Sequence, residues 1–162
     1  IDLYIHDTHF IVGHFHYVMA VSGTFAIFGS VFYLFPKMTG KMYNETLGKI
    51  GFVITFIGVN VTFFTMMIVG IKGMPRRYFD YQQFPQLEGL HFIITVGAFI
   101  IGLGALITLI TWIHGLAAGK KAVDNPWSSH SVEWMTSTPP PPGNFHPIPT
   151  LSDDWHPYGY GS

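Results

Sequence analysis

The chain has 162 residues, of which 49% are hydrophobic, 17% aromatic and only 10% charged. Charged side chains are too few to cover a soluble domain of this size, so the composition predicts a membrane protein. The formal net charge of -1 argues against a nucleic-acid partner, and the absence of cysteine excludes disulfides and thiolate metal sites. The nine histidines are therefore the main candidate metal ligands.

Three apolar runs predict an all-α membrane protein, because roughly 20 helical residues cross the ~30 Å apolar core of a bilayer. We predict transmembrane helices over residues 10–35, 50–71 and 90–114, the first ending at Pro36. Small side chains in the third run predict close packing against partner helices: Gly97, Gly102, Gly104 and Ala105.

The segments between and beyond these helices differ in character. Residues 1–9 are expected to lie at the membrane interface, and residues 115–162 to form an extended Pro-rich surface tail with no folded domain. The loop over residues 36–49 shares a membrane side with the start of that tail, and residues 72–89 form the opposite loop. The first side is predicted to be cytoplasmic because it carries Lys37, Lys41, Lys49, Lys120 and Lys121. Because the chain begins with Ile, without a targeting segment, we expect it to start partway through a larger protein.

Two histidines lie inside the first apolar run, at positions 14 and 16. Ionisable residues are costly within a membrane and usually have a function there. Successive helical residues turn by about 100°, so His14 and His16 should point to nearly opposite faces and cannot share one metal ion. Neutral imidazole is a common axial ligand of heme iron, so the spacing predicts two hemes with Phe15 between them.

The simpler alternative is that each imidazole only hydrogen-bonds a neighbouring helix, as histidines in membranes commonly do. The pair, preceded by further polar residues, favours the heme interpretation, whereas His9 taken alone fits the simpler one. His6 and Asp7 could bind a hard divalent cation or relay protons, but Asp7 could equally be a helix cap.

A second candidate site is the pair Arg76 and Arg77, in the loop that lies on the same side as His6. The planar guanidinium binds carboxylates well, so each arginine could pair with the propionates of one heme. The alternative is that they are solvated charges at the lipid headgroups. Two arginines on the non-cytoplasmic side run against the usual charge bias and favour an anionic partner.

The chain resembles the C-terminal part of subunit I of heme-copper oxidases, of the cytochrome c oxidase type, over about residues 1–120. The resemblance is carried by His6-Asp7-Thr8, His14-Phe15-His16-Tyr17, Phe35-Pro36-Lys37-Met38-Thr39-Gly40, Gly58-Val59-Asn60, Thr62-Phe63-Phe64 and Gly73-Met74-Pro75-Arg76-Arg77-Tyr78. In the tail, Asn125-Pro126-Trp127 and Glu133-Trp134 are also similar. The three helices would then be the last of a twelve-helix bundle.

The resemblance implies a role for each matched residue. His14 would be the proximal ligand of the high-spin heme at the oxygen-reducing site, and His16 an axial ligand of the low-spin heme. Phe15 would lie between the hemes. The remaining roles are a magnesium and proton-exit region at His6 and Asp7, and propionate pairing by Arg76 and Arg77 with Asp2 in the same network.

The family reduces oxygen to water with electrons from cytochrome c and pumps protons. The implied cofactors are two a-type hemes, the copper called copper B, and magnesium. The implied partners are the N-terminal portion of subunit I, subunit II with electron entry and a shared magnesium site, subunit III, cytochrome c and lipid. The Pro-rich tail favours a bacterial inner membrane over a mitochondrial one.

Two departures from the family stand out. At His9 the family more often has Tyr, which puts the local hydrogen bonding in doubt. The copper ligands, the cross-linked tyrosine, the second low-spin ligand and the proton channels belong to earlier helices of the family. We therefore expect the chain to be inactive without an N-terminal portion.

Three other functions would fit part of this sequence. A quinol oxidase would use the same core and differ in the donor site on subunit II. A non-oxidase two-heme electron carrier of the cytochrome b type would have ligands about a dozen residues apart on one helix face, unlike the spacing here. A non-redox transporter or structural bundle would contain no heme.

Overall fold

The computed structural model describes residues 1–145, 147–151 and 155–156, and three long apolar helices dominate it. After a short helix over Asp2–Ile5, the first long helix is His9–Thr39, the second Glu45–Ile71 and the third Pro85–Ala118. At 1.5 Å per residue each is long enough to cross a bilayer. The predicted all-α membrane architecture with three spans is confirmed.

The first long helix ends later than predicted, because Pro36 lies inside it and the helix continues to Thr39. Gly40 ends it instead: its φ of +70° is left-handed, and its N–H donates to the Pro36 carbonyl at 2.8 Å. The Thr39 hydroxyl donates to the Phe35 carbonyl at 2.8 Å. A proline removes one hydrogen bond of the preceding turn. Here the hydrogen bonds of Thr39 and Gly40 stabilise one further turn after Pro36.

The other two helices also extend beyond their apolar runs. The second begins at Glu45, whose carboxylate pairs with Lys49 one turn later at 2.8 Å. The third ends at Ala118, where Lys41 Nζ donates to the Leu116 carbonyl at 2.6 Å. The terminal turns contain polar residues, so a hydropathy pattern does not include them in the predicted helices.

Glycines bring the second long helix close to its neighbours. A Cβ on Gly58 would lie 2.7 Å from the Ile101 backbone nitrogen, and one on Gly97 would lie 2.9 Å from the Thr62 nitrogen. Gly104 lies against Thr55 in the same way, whereas a Cβ on Gly102 would meet nothing within 4 Å. Close packing is thus found at Gly97 and Gly104 but not at Gly102.

The chain divides into two compact units. The first comprises Ile1–Ile27 and Glu45–Ile110, and it contains the two histidines and the two arginines predicted to bind heme. The second comprises Phe28–Asn44 and the described part of Thr111–Ser162.

The second unit contains more tertiary structure than the predicted extended tail. Its strands Lys41–Met42 and Lys120–Lys121 pair antiparallel. The Lys37 ammonium donates to the Thr136 carbonyl at 2.9 Å and to the Thr138 hydroxyl at 2.8 Å, and it lies 4.8 Å from the centre of the Trp134 ring. Regular structure is sparse in the tail, but its contacts with Lys37 are tertiary interactions that the sequence pattern did not predict.

A tight glycine contact joins the first and second long helices, and replacing it should destabilise the protein. A Cβ on Gly70 would overlap the backbone nitrogen of Phe10, so we expect Gly70→Ala to lower stability by roughly 1–3 kcal/mol. The matched control is Gly102→Ala, which meets no neighbour and should be neutral or slightly stabilising through its higher helix propensity. Thermal unfolding of the purified membrane protein, followed by circular dichroism, measures both. Equal melting of the two variants would contradict the tight contact.

Candidate functional site

The arginine loop is attached to the start of the first long helix by backbone hydrogen bonds. The His9 N–H donates to the Met74 carbonyl at 2.9 Å, and the Arg76 N–H donates to the Asp7 carbonyl at 2.9 Å. Thr8 and Pro75 lie opposite each other between these two bonds. The Met74 side chain is anchored in a buried cluster with Val69 and Leu87. These contacts join residues 7–9 to residues 74–76, which are far apart in sequence. We call this junction the corner.

Asp7 and Arg76 form an ion pair at this corner. Asp7 has a φ of +59°, a left-handed conformation that Asp tolerates better than most residues. The exposed fraction of the Arg76 side chain is 33%, and its Nε is buried with no hydrogen-bond partner. A buried donor without a partner is costly, so Arg76 has an N–H available for a further acceptor. The neighbouring Arg77 is exposed.

The predicted magnesium residues contact other groups in the structure. The Asp7 carboxylate faces Arg76, and His6 Nδ1 lies 2.8 Å from the backbone carbonyl of Asp2. Across the described residues, no three His, Asp or Glu side chains converge in a group that could hold a metal ion. A metal at this corner would therefore need ligands from outside these residues.

His14 and His16 both lie in the first long helix, which changes from α-helical over His9–Phe15 to π-helical over His16–Val21. The His14 ring is exposed and stacks on Phe10, with ring centres 6.3 Å apart. The His16 ring instead stacks on Phe63 of the second long helix at 4.7 Å. The two imidazoles therefore have different surroundings although only one residue separates them.

The close packing of Gly13 explains why His14 and His16 face different surroundings. It is buried, and a Cβ there would lie 2.7 Å from the Phe63 carbonyl oxygen and 2.9 Å from Met67. With Gly13 facing the second long helix, His14 turns by about 100° away from the contact, while His16, three residues on, comes back towards it. Phe15 lies between them in sequence, 42% exposed, with its ring centre 4.4 Å from that of His16.

His91 is a further histidine inside an apolar run, and the cost of polar groups in a membrane applies to it as it does to His14. His91 lies in the third long helix, is 9% exposed, and its Nε2 is buried with no hydrogen-bond partner. Its ring stacks on Tyr81 at 4.4 Å and meets the edge of His9 at 5.8 Å. His9 Nδ1 also lies 3.3 Å from the Pro75 carbonyl. The departure at His9 is thus matched by a contact with a second histidine.

The side chains present fit two heme groups. Within the described part of the chain, the His14 imidazole makes no hydrogen bond, so both ring nitrogens are available. His16 Nδ1 lies 2.6 Å from the Val12 carbonyl, which fixes the tautomer with Nε2 free for a metal, as is usual for ligating histidines. The unpartnered Nε of Arg76 suits a propionate oxygen.

A comparison with known protein families gives a match over the first part of the chain. Residues 1–100 match the family model described as Cytochrome C and Quinol oxidase polypeptide I. That range includes His6, Asp7, His14, His16 and both arginines.

Individual relatives agree with this match. The chain is 42% identical over 161 residues to proteins named cytochrome c oxidase subunit 1 from Thermostichus vulcanus and from a Synechocystis species, covering 99% of the chain. It is 38% identical over 154 residues, 95% of the chain, to a heme-copper oxidase subunit I+III from Aeropyrum pernix. The chain spans 28% of the length of the first two relatives and 18% of the third.

Proposed function

Since the chain belongs to the cytochrome c and quinol oxidase polypeptide I family, we propose that it forms the heme-holding part of the catalytic subunit of a respiratory heme-copper oxidase. It is an integral membrane protein of that family, with three helices long enough to cross a bilayer. The oxidase would reduce oxygen to water with electrons from cytochrome c and couple this to proton pumping.

One observation carries the proposal: His14 and His16 belong to a single apolar helix and have separate surroundings. In this proposal His14 is the proximal ligand of the high-spin heme, and His16 is an axial ligand of the low-spin heme. The exposed ring of His14 and the free Nε2 of His16 support two separate ligands. The hemes, when bound, supply the electron transfer and the oxygen chemistry.

The chain itself would position these groups. The Gly13 contact sets the direction in which each imidazole points, and the Val12 carbonyl orients the His16 ring. Phe15 would fill the space between the two sites and exclude water. Arg76, already held by Asp7, would donate its free Nε–H to a propionate, and the exposed Arg77 would pair with the other heme. Asp2 would belong to the same network, because its backbone carbonyl contacts His6.

The rest of the active centre would come from outside the chain. Copper B and the second axial ligand of the low-spin heme would be held by the N-terminal portion of subunit I. His6 and Asp7 would complete a magnesium site shared with subunit II, where electrons enter, and subunit III would join the complex. This chain alone would therefore be inactive.

A quinol oxidase is the second candidate, and the family description itself includes both donors. The relatives named cytochrome c oxidase favour cytochrome c, and a dicopper motif in the partner subunit II would distinguish the two. Bacterial relatives favour a bacterial inner membrane over a mitochondrial one.

The two histidines should be separable by substitution in the assembled oxidase. We expect His14→Ala to abolish oxygen reduction while most of the low-spin heme spectrum remains, because the low-spin ligand is still present. His16→Ala, its matched control, should remove the low-spin spectrum. Optical spectra and oxygen consumption measure both. Loss of the low-spin heme in His14→Ala would mean that the two assignments are reversed.

Arg76 should raise the heme reduction potentials through its positive charge. Reduction adds an electron, so a nearby cation stabilises the reduced state, and Arg76→Ala should lower a heme midpoint potential by roughly 1 kcal/mol, or about 40 mV. In this variant the Asp7 carboxylate loses its partner, and its negative charge would lower the midpoint potential further. Redox titration measures the change, with Lys72→Ala, an exposed cation near the same loop, as the control. An unchanged titration with full heme content would exclude the propionate role of Arg76.

A further inference from the structure

The first and second long helices each widen into a π-helical segment where they meet. The segments are His16–Val21 in the first helix and Asn60–Phe64 in the second. The Tyr17 hydroxyl donates to Asn60 Oδ1 at 3.0 Å, which joins the two segments directly. Local π-helical turns are uncommon and frequently lie at functional sites. Here two of them are in contact, and one begins at the predicted heme ligand His16, which indicates a functional role.

The His16 ring is restrained on its face and on its edge. Phe63 stacks on it with ring centres 4.7 Å apart and planes 18° from parallel. The ring edge is held by the 2.6 Å contact between Nδ1 and the Val12 carbonyl. Phe15 also lies against the ring, with ring centres 4.4 Å apart and planes inclined by 33°. A planar ring with these contacts and one nitrogen fixed can present Nε2 in a single direction.

The Phe63 ring, which stacks on His16, is itself held by neighbouring side chains. Tyr17 meets Phe63 edge-on, with ring centres 6.1 Å apart and planes at 70°. Asn60, which accepts from Tyr17, is itself fixed because its Nδ2 donates to the Phe56 carbonyl at 2.8 Å. Side chains from both π-helical segments thus hold Phe63, the ring that stacks on His16.

From this arrangement we propose that Phe63 and the Tyr17–Asn60 hydrogen bond are positioning elements that fix the plane of the His16 imidazole. The inference rests on the proposed function, in which His16 is an axial ligand of the low-spin heme. The orientation and basicity of an axial imidazole tune the iron, and both depend on the side chains and hydrogen bonds around it. Phe63 and Tyr17 would therefore set the electronic properties of the low-spin heme without binding iron.

The test compares two neighbouring phenylalanines in the assembled oxidase. Phe63→Leu removes the ring that stacks on His16, whereas Phe64→Leu changes a residue that is 57% exposed in the same π-helical segment. The measurements are the electron paramagnetic resonance signal of the oxidised low-spin heme and its midpoint potential, at equal heme content. We expect Phe63→Leu to broaden or split the signal and to shift the potential, because the imidazole gains more than one orientation. Phe64→Leu should match the unsubstituted oxidase.

Two further variants keep the test decisive if Phe63→Leu fails to assemble. Phe63→Tyr keeps an aromatic ring and should preserve the signal. Tyr17→Phe removes only the hydroxyl that binds Asn60 and should change the signal in the same direction as Phe63→Leu, by a smaller amount. A signal from Tyr17→Phe and from any assembled Phe63→Leu oxidase that matches the Phe64→Leu control would overturn the inference.

The His16→Ala oxidase separates this inference from the proposed function. If that variant keeps its low-spin heme, the assignment of His16 fails, and the positioning role fails with it. If it loses the low-spin heme while Phe63→Leu and Tyr17→Phe remain normal, the ligand assignment stands and only the positioning role is wrong.

Discussion

The tight contact between the first two long helices is the constraint on which the site depends. Gly13 lies against Phe63 and Met67, and Gly70 lies against Phe10, so no side chain separates the two backbones there. Within lipid, where apolar burial does not drive helices together, such close packing is a main source of association. It also fixes how the first helix is rotated about its axis. That rotation directs the His16 ring towards Phe63 and leaves the His14 ring exposed on another side.

A second consequence of this packing is the corner where the arginine loop meets the start of the first helix. The loop begins two residues after Gly70, and its backbone pairs with residues 7–9. The Asp7–Arg76 ion pair belongs to this corner, so one assembly of backbone hydrogen bonds positions both the histidine helix and the guanidinium. The predicted axial ligands and the predicted propionate partner thus belong to one connected set of helix and loop contacts.

The three spans could be predicted from the sequence because they depend on local composition. The roles of the two histidines and of the arginine pair rest on the high cost of polar groups in a membrane and stay predictions. The sequence pattern predicted that the first helix ends at Pro36, but the contacts of Thr39 and Gly40 extend the helix to Thr39. It missed the wrapping of the tail around Lys37, because those acceptors lie about 100 residues away in sequence. The position of His91 in an apolar run is evident from the sequence, whereas its contacts with His9 and Tyr81 depend on tertiary structure.

The most direct test of the account is the optical spectrum of the native complex containing this chain, recorded reduced minus oxidised and again after addition of carbon monoxide. If His14 and His16 each hold a heme and only one of the two has an open position, the spectrum should show two heme absorption bands, of which carbon monoxide shifts one. A complex without heme absorption, or one in which carbon monoxide shifts neither band, would contradict the assignment of His14 and His16 to two separate irons.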